Sequence, residues 1–488
     1  MKHLHLLSAL AVVAFIFCSC SNTDYQRVIP ADASAVVKID VKSLTEKADF
    51  SHSSANEMLG SMLAAVVKGK DVKKMQSYIN DPSSMGLDFS MPVYVFMVGQ
   101  HFGVSIKVDD DGDLKKSIQM LQKQGMATKP IEKESLMCGS LLDDIQYTYS
   151  SNTFLLLTSL EGGNASTGRM ARQLMKQDEE DSFSSSEAHL KMNEHQEDVV
   201  IYSQLNKNNM KALSGLENLL VWLPLSKQNV QMEALNTINF DEGKIYFSVK
   251  VWGKDEMSQK LIDDANKNLR SIQATYAHPS VNMVVWGAAN LKGDWLLSHM
   301  KESKQAKEML FLMERAVDIE QMLRAVDGDV AIELQNLGNN DIAYLAQVQL
   351  SNSDFLADVD YWKQSMKEYG LSMQSRGKDA YSMQMERDTY LWGVKEKKEL
   401  FFASEKANMS PAPQSVLDNY MTDIKKSKFF IYVDLAALHN TMIFQIPWWG
   451  EKLRALKSIV VKSASADEMT MVVELTDKKD NFLKLLFK

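Results

Sequence analysis

The sequence is poor in the residues that interrupt regular structure. Its 488 residues include only 22 glycines and nine prolines, about half the share of an average protein. This scarcity excludes collagen-like and linker-like chains. Apolar residues make up 45% of the sequence and charged residues 24%, which excludes a chain that is disordered throughout. We therefore expect a folded protein, with a length sufficient for about three domains.

The motifs of common enzyme classes are also missing. The sequence has no Gly-x-Ser-x-Gly nucleophile motif, and no two histidines four residues apart with an adjacent glutamate, as zinc proteases require. The acids at residues 109–113 do not have the spacing of a calcium loop. We predict no cofactor and no metal. Whether the protein is an enzyme stays open, with a non-catalytic role favoured.

The balance of charge narrows the range of partners. There are 54 basic and 63 acidic residues, a formal net charge of −9, and no basic stripe interleaved with aromatic residues occurs. A surface of this sign repels phosphate backbones. We therefore expect no nucleic acid partner.

Two segments partly match functional motifs. Residues 163–170 follow an apolar strand and precede a helical stretch, as in a phosphate-binding P-loop, but Arg169 and Met170 replace its lysine and hydroxyl residue. We interpret this segment as a flexible helix start in preference to a phosphate site. His189 and His195 lie among acids, six residues apart and so on different faces of a helix. We expect a solvated segment there in preference to a metal site.

The N-terminus has the pattern of a signal peptide. A basic start precedes an apolar run at residues 6–17, which is too short to span a bilayer. The run and the cysteine that follows resemble the lipobox of bacterial lipoproteins, which implies cleavage before Cys20 and attachment of acyl chains such as palmitate. Cys18 is an alternative attachment site, and a buried N-terminal helix is the alternative to a signal peptide. We predict a signal peptide at 1–19, a tether at 20–29 and membrane attachment through lipid.

Cysteine is scarce, which limits how the fold is held together. Of the three cysteines, Cys18 would leave with the signal peptide and Cys20 would carry lipid, so Cys138 would stand alone. We predict no intramolecular disulfide and a fold held by its apolar core. No later segment reaches 18 consecutive apolar residues, so we expect the rest of the chain to stay outside the bilayer core.

Repeated modules organise the remaining sequence. One module is an apolar strand that ends in a polar residue and continues into a helix. The four polar residues are Asp40, Gln204, Asn290 and Asp434. Asp and Asn side chains accept hydrogen bonds from the unpaired N–H groups of a first helical turn. We therefore interpret these residues as helix starts in preference to metal ligands.

A second module is a hairpin followed by a helix, and a third is a hairpin with a polar turn. Copies of the second lie near residues 92–113, 244–255, 329–354 and 458–480, and copies of the third at 145–160 and 381–404. The order of modules occurs twice, which predicts two tandem homologous halves, 30–268 and 279–488. Each half has a β-α-β-β-α-β order. We therefore predict an α+β fold with ferredoxin-like elements, in which helices cover one face of antiparallel sheet.

Both halves contain an apolar, proline-bearing stretch after their second strand–helix module. Trp222 lies near Pro224 in the first half, and Pro447 precedes Trp448 and Trp449 in the second. Aromatic anchors are common in binding surfaces, so these five are candidate partner-binding residues. The alternative is that they fill the seam between sheet and helices.

Residues 28–37, after the lipobox, and residues 198–202 resemble a family of Bacteroidetes-type envelope lipoproteins built on a domain of unknown function. The resemblance covers nearly the whole chain after Cys20. It implies an outer-membrane lipoprotein and carries over no catalytic residues. Residues 21–24 lack the run of acids that surface-exported relatives often have, which favours the periplasmic face.

Two functional hypotheses follow from these patterns. The first is a non-catalytic binding or scaffolding lipoprotein whose partner is an envelope protein or polymer. The alternative is an envelope hydrolase with carboxylates assembled between the two halves. A cleft that holds two carboxylates with shifted pKa values would favour the hydrolase.

Overall fold

Helices and antiparallel strands both contribute to the fold, so the prediction of an α+β class is confirmed. The computed structural model describes residues 24–66, 71–142, 144–205, 230–302, 304–314, 317–336, 342–385, 388–438 and 450–488. The chain divides into two compact units. The first reaches residue 203 and includes residues 487–488, and the second comprises residues 204–486.

The first unit contains an antiparallel sheet. Its strands are Ala35–Ile39 (β1), Val93–Val98 (β2), His101–Lys107 (β3), Ile131–Lys133 (β4), Leu136–Leu141 (β5), Ile145–Tyr149 (β6), Thr153–Ser159 (β7) and Val199–Leu205 (β8). Its helices are Val41–Lys47 (α1), Ser54–Val66 (α2), Asp71–Asn80 (α3), Asp111–Lys123 (α4), Asn164–Lys176 (α5) and Glu187–Asn193 (α6). The strands pair in the order β8-β1-β2-β3-β7-β6-β5-β4.

The core of the first unit lies between this sheet and α4. Ile106, Tyr147 and Phe154 from the strands pack with Leu114 and Ile118 from the helix. Leu114 and Ile118 are four residues apart and therefore lie on one face of α4. The apolar face of an otherwise polar helix thus fixes α4 against the sheet.

Aspartates begin helices in the first unit as the sequence predicts. Asp40 accepts a hydrogen bond of 2.8 Å from the N–H of Ser43 at the start of α1. Asp110 accepts one of 2.8 Å from the N–H of Asp113 at the start of α4. These carboxylates satisfy N–H groups that have no partner within the helix. The acids at residues 109–113 therefore form a turn and a helix start.

The second unit contains a longer series of strands. They are Met232–Asp241 (β9), Lys244–Gly253 (β10), Leu269–Arg270 (β11), Met283–Lys292 (β12), Val326–Gln335 (β13), Ala343–Leu350 (β14), Ser372–Gly377 (β15), Ala380–Met385 (β16), Asp388–Lys395 (β17), Glu399–Ser404 (β18), Phe429–Asp434 (β19), Leu456–Ser465 (β20) and Glu468–Leu475 (β21). The helices are Glu256–Asn268 (α7), Gly293–Glu302 (α8), Lys304–Glu314 (α9), Ile319–Arg324 (α10), Val359–Glu368 (α11), Met421–Lys426 (α12), Gly450–Leu453 (α13) and Phe482–Phe487 (α14).

The strands of the second unit are all antiparallel to their neighbours. They pair in the order β9-β10-β21-β20-β19-β12-β13-β14-β18-β17-β16-β15, and β11 pairs with the end of β12. Between β10 and β21, Lys244 lies opposite Glu474 at one end and Lys250 lies opposite Glu468 at the other. Opposite charges at facing positions stabilise a strand pair by about 0.2–1 kcal/mol.

Groups of contacting aromatic rings lie within the otherwise mainly aliphatic core of the second unit. Trp362 of α11 stacks on Phe355 with ring centroids 6.3 Å apart and contacts Trp392 of β17 at 6.1 Å. A separate core cluster includes Trp286 and Phe430, whose centroids are 6.1 Å apart. Burial of these large rings removes apolar area from water and so stabilises the unit.

Two observations differ from the sequence patterns. The interpretation of Asn290 as a helix start is wrong, because β12 continues to Lys292 and the Asn290 amide is buried within the sheet. Residues 204–268, predicted to belong to the first half, lie in the second compact unit. The pairing of β10 with β21 accounts for this assignment, because it ties the last hairpin of the predicted first half to the C-terminal strands.

Candidate functional site

The predicted site residues all lie outside the described residues. They are Cys20, Trp222, Pro224, Pro447, Trp448 and Trp449. Lipid attachment and partner binding through these residues therefore stay predictions. Within the described part of the chain, no helix is both long enough and apolar enough to cross a membrane.

The first described segment, residues 24–34, packs into the first unit, and we call it the N-terminal strap. Tyr25 is completely buried. Its hydroxyl donates a 3.0 Å hydrogen bond to the Pro92 carbonyl, and the Ser105 hydroxyl donates one of 2.5 Å to the Tyr25 carbonyl. Burial raises the pKa of Tyr25 to about 12. Residues 24–29, which the sequence assigns to the tether, thus belong to the folded unit.

His189 holds the N-terminal strap from α6. It is 7% exposed, and its Nε2–H donates a 2.8 Å hydrogen bond to Oε1 of Gln26. Burial lowers the pKa of His189, and the positive charge of Lys38 lowers it further, which favours the neutral ring. The expectation of a solvated segment at this histidine is wrong, because the ring is buried. Local sequence does not show this burial, because the partner Gln26 is 163 positions away.

The other clustered histidine has a local partner. His195 Nδ1 lies 3.2 Å from a carboxylate oxygen of Glu197, and both side chains are about one-third exposed. Among the described residues, no group of three or more His, Cys, Asp or Glu side chains is placed to hold a metal ion.

A second segment, residues 271–282, lies against β13 with residues such as Ile272, Tyr276 and Ala277 buried, and we call it the interior strap. Asp329 of β13 is 1% exposed. Its carboxylate accepts hydrogen bonds from the N–H groups of Gln273 at 2.9 Å and Thr275 at 3.0 Å. It also accepts one of 2.9 Å from the Asn290 amide. Three neutral donors therefore compensate this buried charge.

Glu333 continues the same row of polar residues, because alternate residues of a strand share a face. Its carboxylate accepts hydrogen bonds from the Ser280 N–H at 3.1 Å and from the Ser280 hydroxyl at 2.5 Å. The Gln335 amide donates to it at 2.9 Å and also donates to the Asn408 carbonyl at 2.9 Å. The buried polar residues of β13 thus hold the interior strap in place.

A pair of acids occurs at the turn between α9 and α10. Partial burial of its carboxyl raises the pKa of Glu314, and the negative charges of Asp318 and Glu320 raise it further. Asp318 also accepts a 2.9 Å hydrogen bond from the N–H of Gln321 and so caps α10. Glu314 is exposed. Glu314 accepts a 3.3 Å hydrogen bond from the N–H of Glu320, so both carboxylates satisfy N–H groups in the first turn of α10.

A groove of about 630 Å³ lies in the first unit beside α5, and we call it the basic groove. Cys138 of β5 and Gln146 and Thr148 of β6 line it from the sheet. Its cationic lining residues are Lys129, Lys133, Arg169 and Arg172. Within the described chain, no Asp or Glu lines it. Of these four cations, the sequence pattern singles out only Arg169. The two lysines lie in a loop and an edge strand that are distant from it in the sequence.

Hydrogen bonds hold the wall of the basic groove that precedes β4. The buried Tyr147 hydroxyl donates to the Thr128 carbonyl at 3.1 Å, and the Ser140 N–H donates to Thr128 Oγ1 at 2.8 Å. A Cβ at Gly139 would lie 2.2 Å from the Tyr147 hydroxyl oxygen. Glycine is therefore required for Tyr147 to reach this wall.

The opposite wall of the groove is α5. Arg172 donates a 2.8 Å hydrogen bond to the Gly168 carbonyl, and its Nε lies 3.8 Å from Glu134. Lys176 bonds to Glu134 more closely, at 2.6 Å, and lowers the pKa of that carboxyl. Both walls of the groove are therefore fixed by contacts that do not involve Lys129, Lys133 or Arg169.

Comparisons with known proteins identify a family and give weak structural similarities. The structure of crystal form III of TP0453 is 11% identical, with a TM-score of 0.26, over 50% of this chain and 86% of that chain. Crystal form I of TP0453 is 14% identical, with a TM-score of 0.25, over 50% of this chain and 85% of that chain. No curated protein matches the sequence significantly. A family model described as Domain of unknown function (DUF4836) matches residues 25–475.

Proposed function

The chain belongs to the family described as Domain of unknown function (DUF4836), and for this member we propose a lipid-anchored cell-envelope protein with a non-catalytic binding or scaffolding role. Acyl chains on Cys20 attach it to the outer membrane, on the periplasmic face. Its partner is an envelope protein or an envelope polymer, which the aromatic residues near Pro224 and Pro447 contact.

The observation that carries this proposal is the short sequence between Cys20 and the folded body. Tyr25 is completely buried, so only residues 21–24 lie between Cys20 and the packed chain. Five fully extended residues span at most about 18 Å. Lipid on Cys20 would therefore hold the first unit next to the bilayer.

The hydrogen bonds of the buried acids support a non-catalytic role. Asp329 and Glu333 accept hydrogen bonds from the interior strap and from neighbouring amides. Asp198, which is 2% exposed, pairs with Lys47 at 2.8 Å and accepts a 2.6 Å hydrogen bond from the Ser43 hydroxyl. Each of these carboxylates has a structural task, since burial without such partners would destabilise the fold.

We also propose that residues 30–268 and 279–488 are tandem copies with ferredoxin-like β-α-β-β-α-β elements. Strand pairing supports this. The order β19-β12-β13-β14-β18-β17-β16-β15 repeats the order β8-β1-β2-β3-β7-β6-β5-β4, strand for strand along the chain. The hairpins β9–β10 and β20–β21 extend the correspondence.

Lipid attachment is tested by labelling cells with an alkyne analogue of palmitate. Cys20→Ala should abolish the label and leave an uncleaved precursor, whereas Cys18→Ala, the matched control, should remain labelled and processed. Loss of label only in Cys18→Ala would show that the acyl chains are attached to Cys18 instead of Cys20. A wild-type protein without any label would refute the anchor.

The binding role is tested by photocrosslinking in the native envelope. A crosslinking amino acid at Trp222 or Trp448 should capture the same envelope component. The same group at Tyr361, which is 69% exposed, is the control and should not capture it. Turnover of an envelope polymer by the purified protein, lost in a single point variant, would instead establish the hydrolase.

A further inference from the structure

We propose that the basic groove binds a small polar ligand of sugar size that carries a phosphate group. The inference is independent of lipid attachment and of the aromatic stretches, because all residues of the groove lie between residues 128 and 172 of the first unit.

The basic groove concentrates positive charge at one place on an acidic protein. Many lysines and arginines of the chain form ion pairs, including Lys47, Lys107 and Arg324. Lys129, Lys133 and Arg169 form neither an ion pair nor a side-chain hydrogen bond within the described part of the chain. These three cations are exposed and line the same groove as Arg172, which lies near Glu134. A bound anion would reduce the mutual repulsion of the three unpaired charges.

The cations of the basic groove are of the types that bind phosphate. Arg169 and Arg172 are three residues apart on α5 and therefore lie on neighbouring positions of one helix face. Guanidinium groups bind phosphate oxygens through two parallel hydrogen bonds, and lysines add positive charge. Because Lys129 and Lys133 come from the other wall, cations surround the space from two sides.

The floor of the groove carries polar side chains that could bond to a ligand. Thr148 is 1% exposed, and its hydroxyl has only a weak contact with Cys138 Sγ at 3.8 Å. A buried hydroxyl with so poor a partner is suited to bond to a ligand hydroxyl. Gln146 lies on the same floor. A volume of about 630 Å³ is within the range of small-molecule sites, which indicates a sugar-sized body attached to the phosphate.

The N-terminal end of α5 also borders the groove. Asn164 and Ala165, in its first turn, line the groove, and no side chain caps the helix at Gly163. The positive end of the helix dipole therefore favours an anion in the same space.

Calorimetric titration of the full chain with glucose 1-phosphate and with inorganic phosphate tests the proposal. The double variant Lys133→Gln, Arg169→Gln should bind glucose 1-phosphate at least about tenfold more weakly, because it removes one charged donor from each wall. The control Lys115→Gln, Lys123→Gln makes the same change in net charge at exposed residues of α4 and should change affinity less than about twofold.

Ala165→Trp is a second variant that fills the groove and leaves the charge unchanged. Ala165 is exposed, so the fold should tolerate the ring, and binding should be lost. Equal weakening in the α4 control would identify non-specific electrostatic attraction and overturn the proposal. Full binding by Ala165→Trp would overturn it as well.

Vesicles distinguish a free phosphate ligand from a lipid headgroup. A chain that begins at residue 21, and so lacks both the apolar run at residues 6–17 and Cys20, is mixed with phosphatidylcholine vesicles with or without phosphatidylglycerol. Groove-dependent binding only to phosphatidylglycerol vesicles assigns the site to a lipid headgroup, and groove-dependent binding only in solution assigns it to a free ligand. Failure of the wild-type chain to bind any of these probes would refute the site.

Discussion

The N-terminal strap and the interior strap each precede the first strand of a predicted half, yet they are held by different chemistry. The buried face of β2 beneath the N-terminal strap presents Tyr94 and Phe96, each 1% exposed. Asp329 and Glu333 of β13 hold the interior strap. The side-chain bonds described for the N-terminal strap are neutral, whereas the interior strap adds bonds to two buried carboxylates.

This difference shows how one strand order can use two kinds of stabilisation. A neutral hydrogen bond contributes about 1 kcal/mol, and its loss leaves one donor or acceptor unpaired. A buried carboxylate with several donors is more consequential, because its removal leaves all of those donors unpaired at once. The interior strap should therefore depend on single residues more strongly than the N-terminal strap does.

Of the variants that compare the two straps, Asp329→Ala should lower the free energy of unfolding most. The N–H groups of Gln273 and Thr275 and the Asn290 amide would lose their acceptor, which should lower the free energy of unfolding by about 4 kcal/mol. Urea denaturation measures the loss, and faster hydrogen exchange in peptides covering residues 271–282 locates it.

Asp327→Ala is the matched control for this variant. Asp327 lies on the same strand, and its carboxylate forms an exposed pair with Arg270, so its removal should cost less than about 1 kcal/mol. Equal losses for Asp327→Ala and Asp329→Ala would show that the interior strap does not depend on the buried carboxylate.

Trp286→Phe should weaken the interior strap less. The Trp286 Nε1–H donates a 3.1 Å hydrogen bond to the Tyr276 carbonyl, and the ring is 2% exposed. Loss of this bond and of part of the ring should cost about 2 kcal/mol. The same exchange assay should show faster exchange around Tyr276, and an unchanged rate there would contradict the assignment.

Gln26→Ala tests the neutral hydrogen bonds of the N-terminal strap. It leaves the His189 Nε2–H without its acceptor and should cost about 1 kcal/mol. Exchange in peptides covering residues 24–34 should accelerate, whereas Gln100→Ala, at an exposed position, should have no effect. A loss as large as that of Asp329→Ala would remove the contrast between the straps.

Acidification should have the smallest effect and should act on the N-terminal strap. Because burial lowers the pKa of His189 from 6.5, the unfolded chain binds the proton more readily than the folded one. The contribution of His189 to stability is therefore present above pH 6.5 and is lost as the pH falls toward the lowered value. Wild-type stability should decrease in this range, and His189→Gln should remove that part of the decrease.

Local patterns predict those parts of the fold whose side chains alternate between a buried and an exposed face. The predicted strands near residues 145–160 correspond to β6 and β7. By contrast, β4 has only three residues, all exposed, and lies at an edge, so its sequence contains no burial pattern. In β9, polar residues such as Asn236 and Asn239 interrupt the apolar series, and pairing with β10 fixes the strand instead.

The candidate sites were less accessible to prediction, because they depend on contacts between distant residues. The bond between Gln26 and His189 joins positions 163 residues apart. The basic groove combines Lys129 and Arg169 from separate elements, and neither residue belongs to a complete motif. Local sequence shows the chemical type of each side chain, but only the tertiary fold determines whether a carboxylate lies near enough to neutralise it.

The charges along the β10–β21 pair favour this pairing over the pairing of either strand with itself. The facing residues are Lys244 with Glu474 and Lys250 with Glu468. If β10 of one molecule met β10 of another in the same antiparallel manner, lysine would face lysine at both ends, and two copies of β21 would bring glutamate against glutamate. Pairing of either strand with a copy of itself is therefore penalised relative to the native β10–β21 pair, so the charges favour the correct partner when the sheet forms.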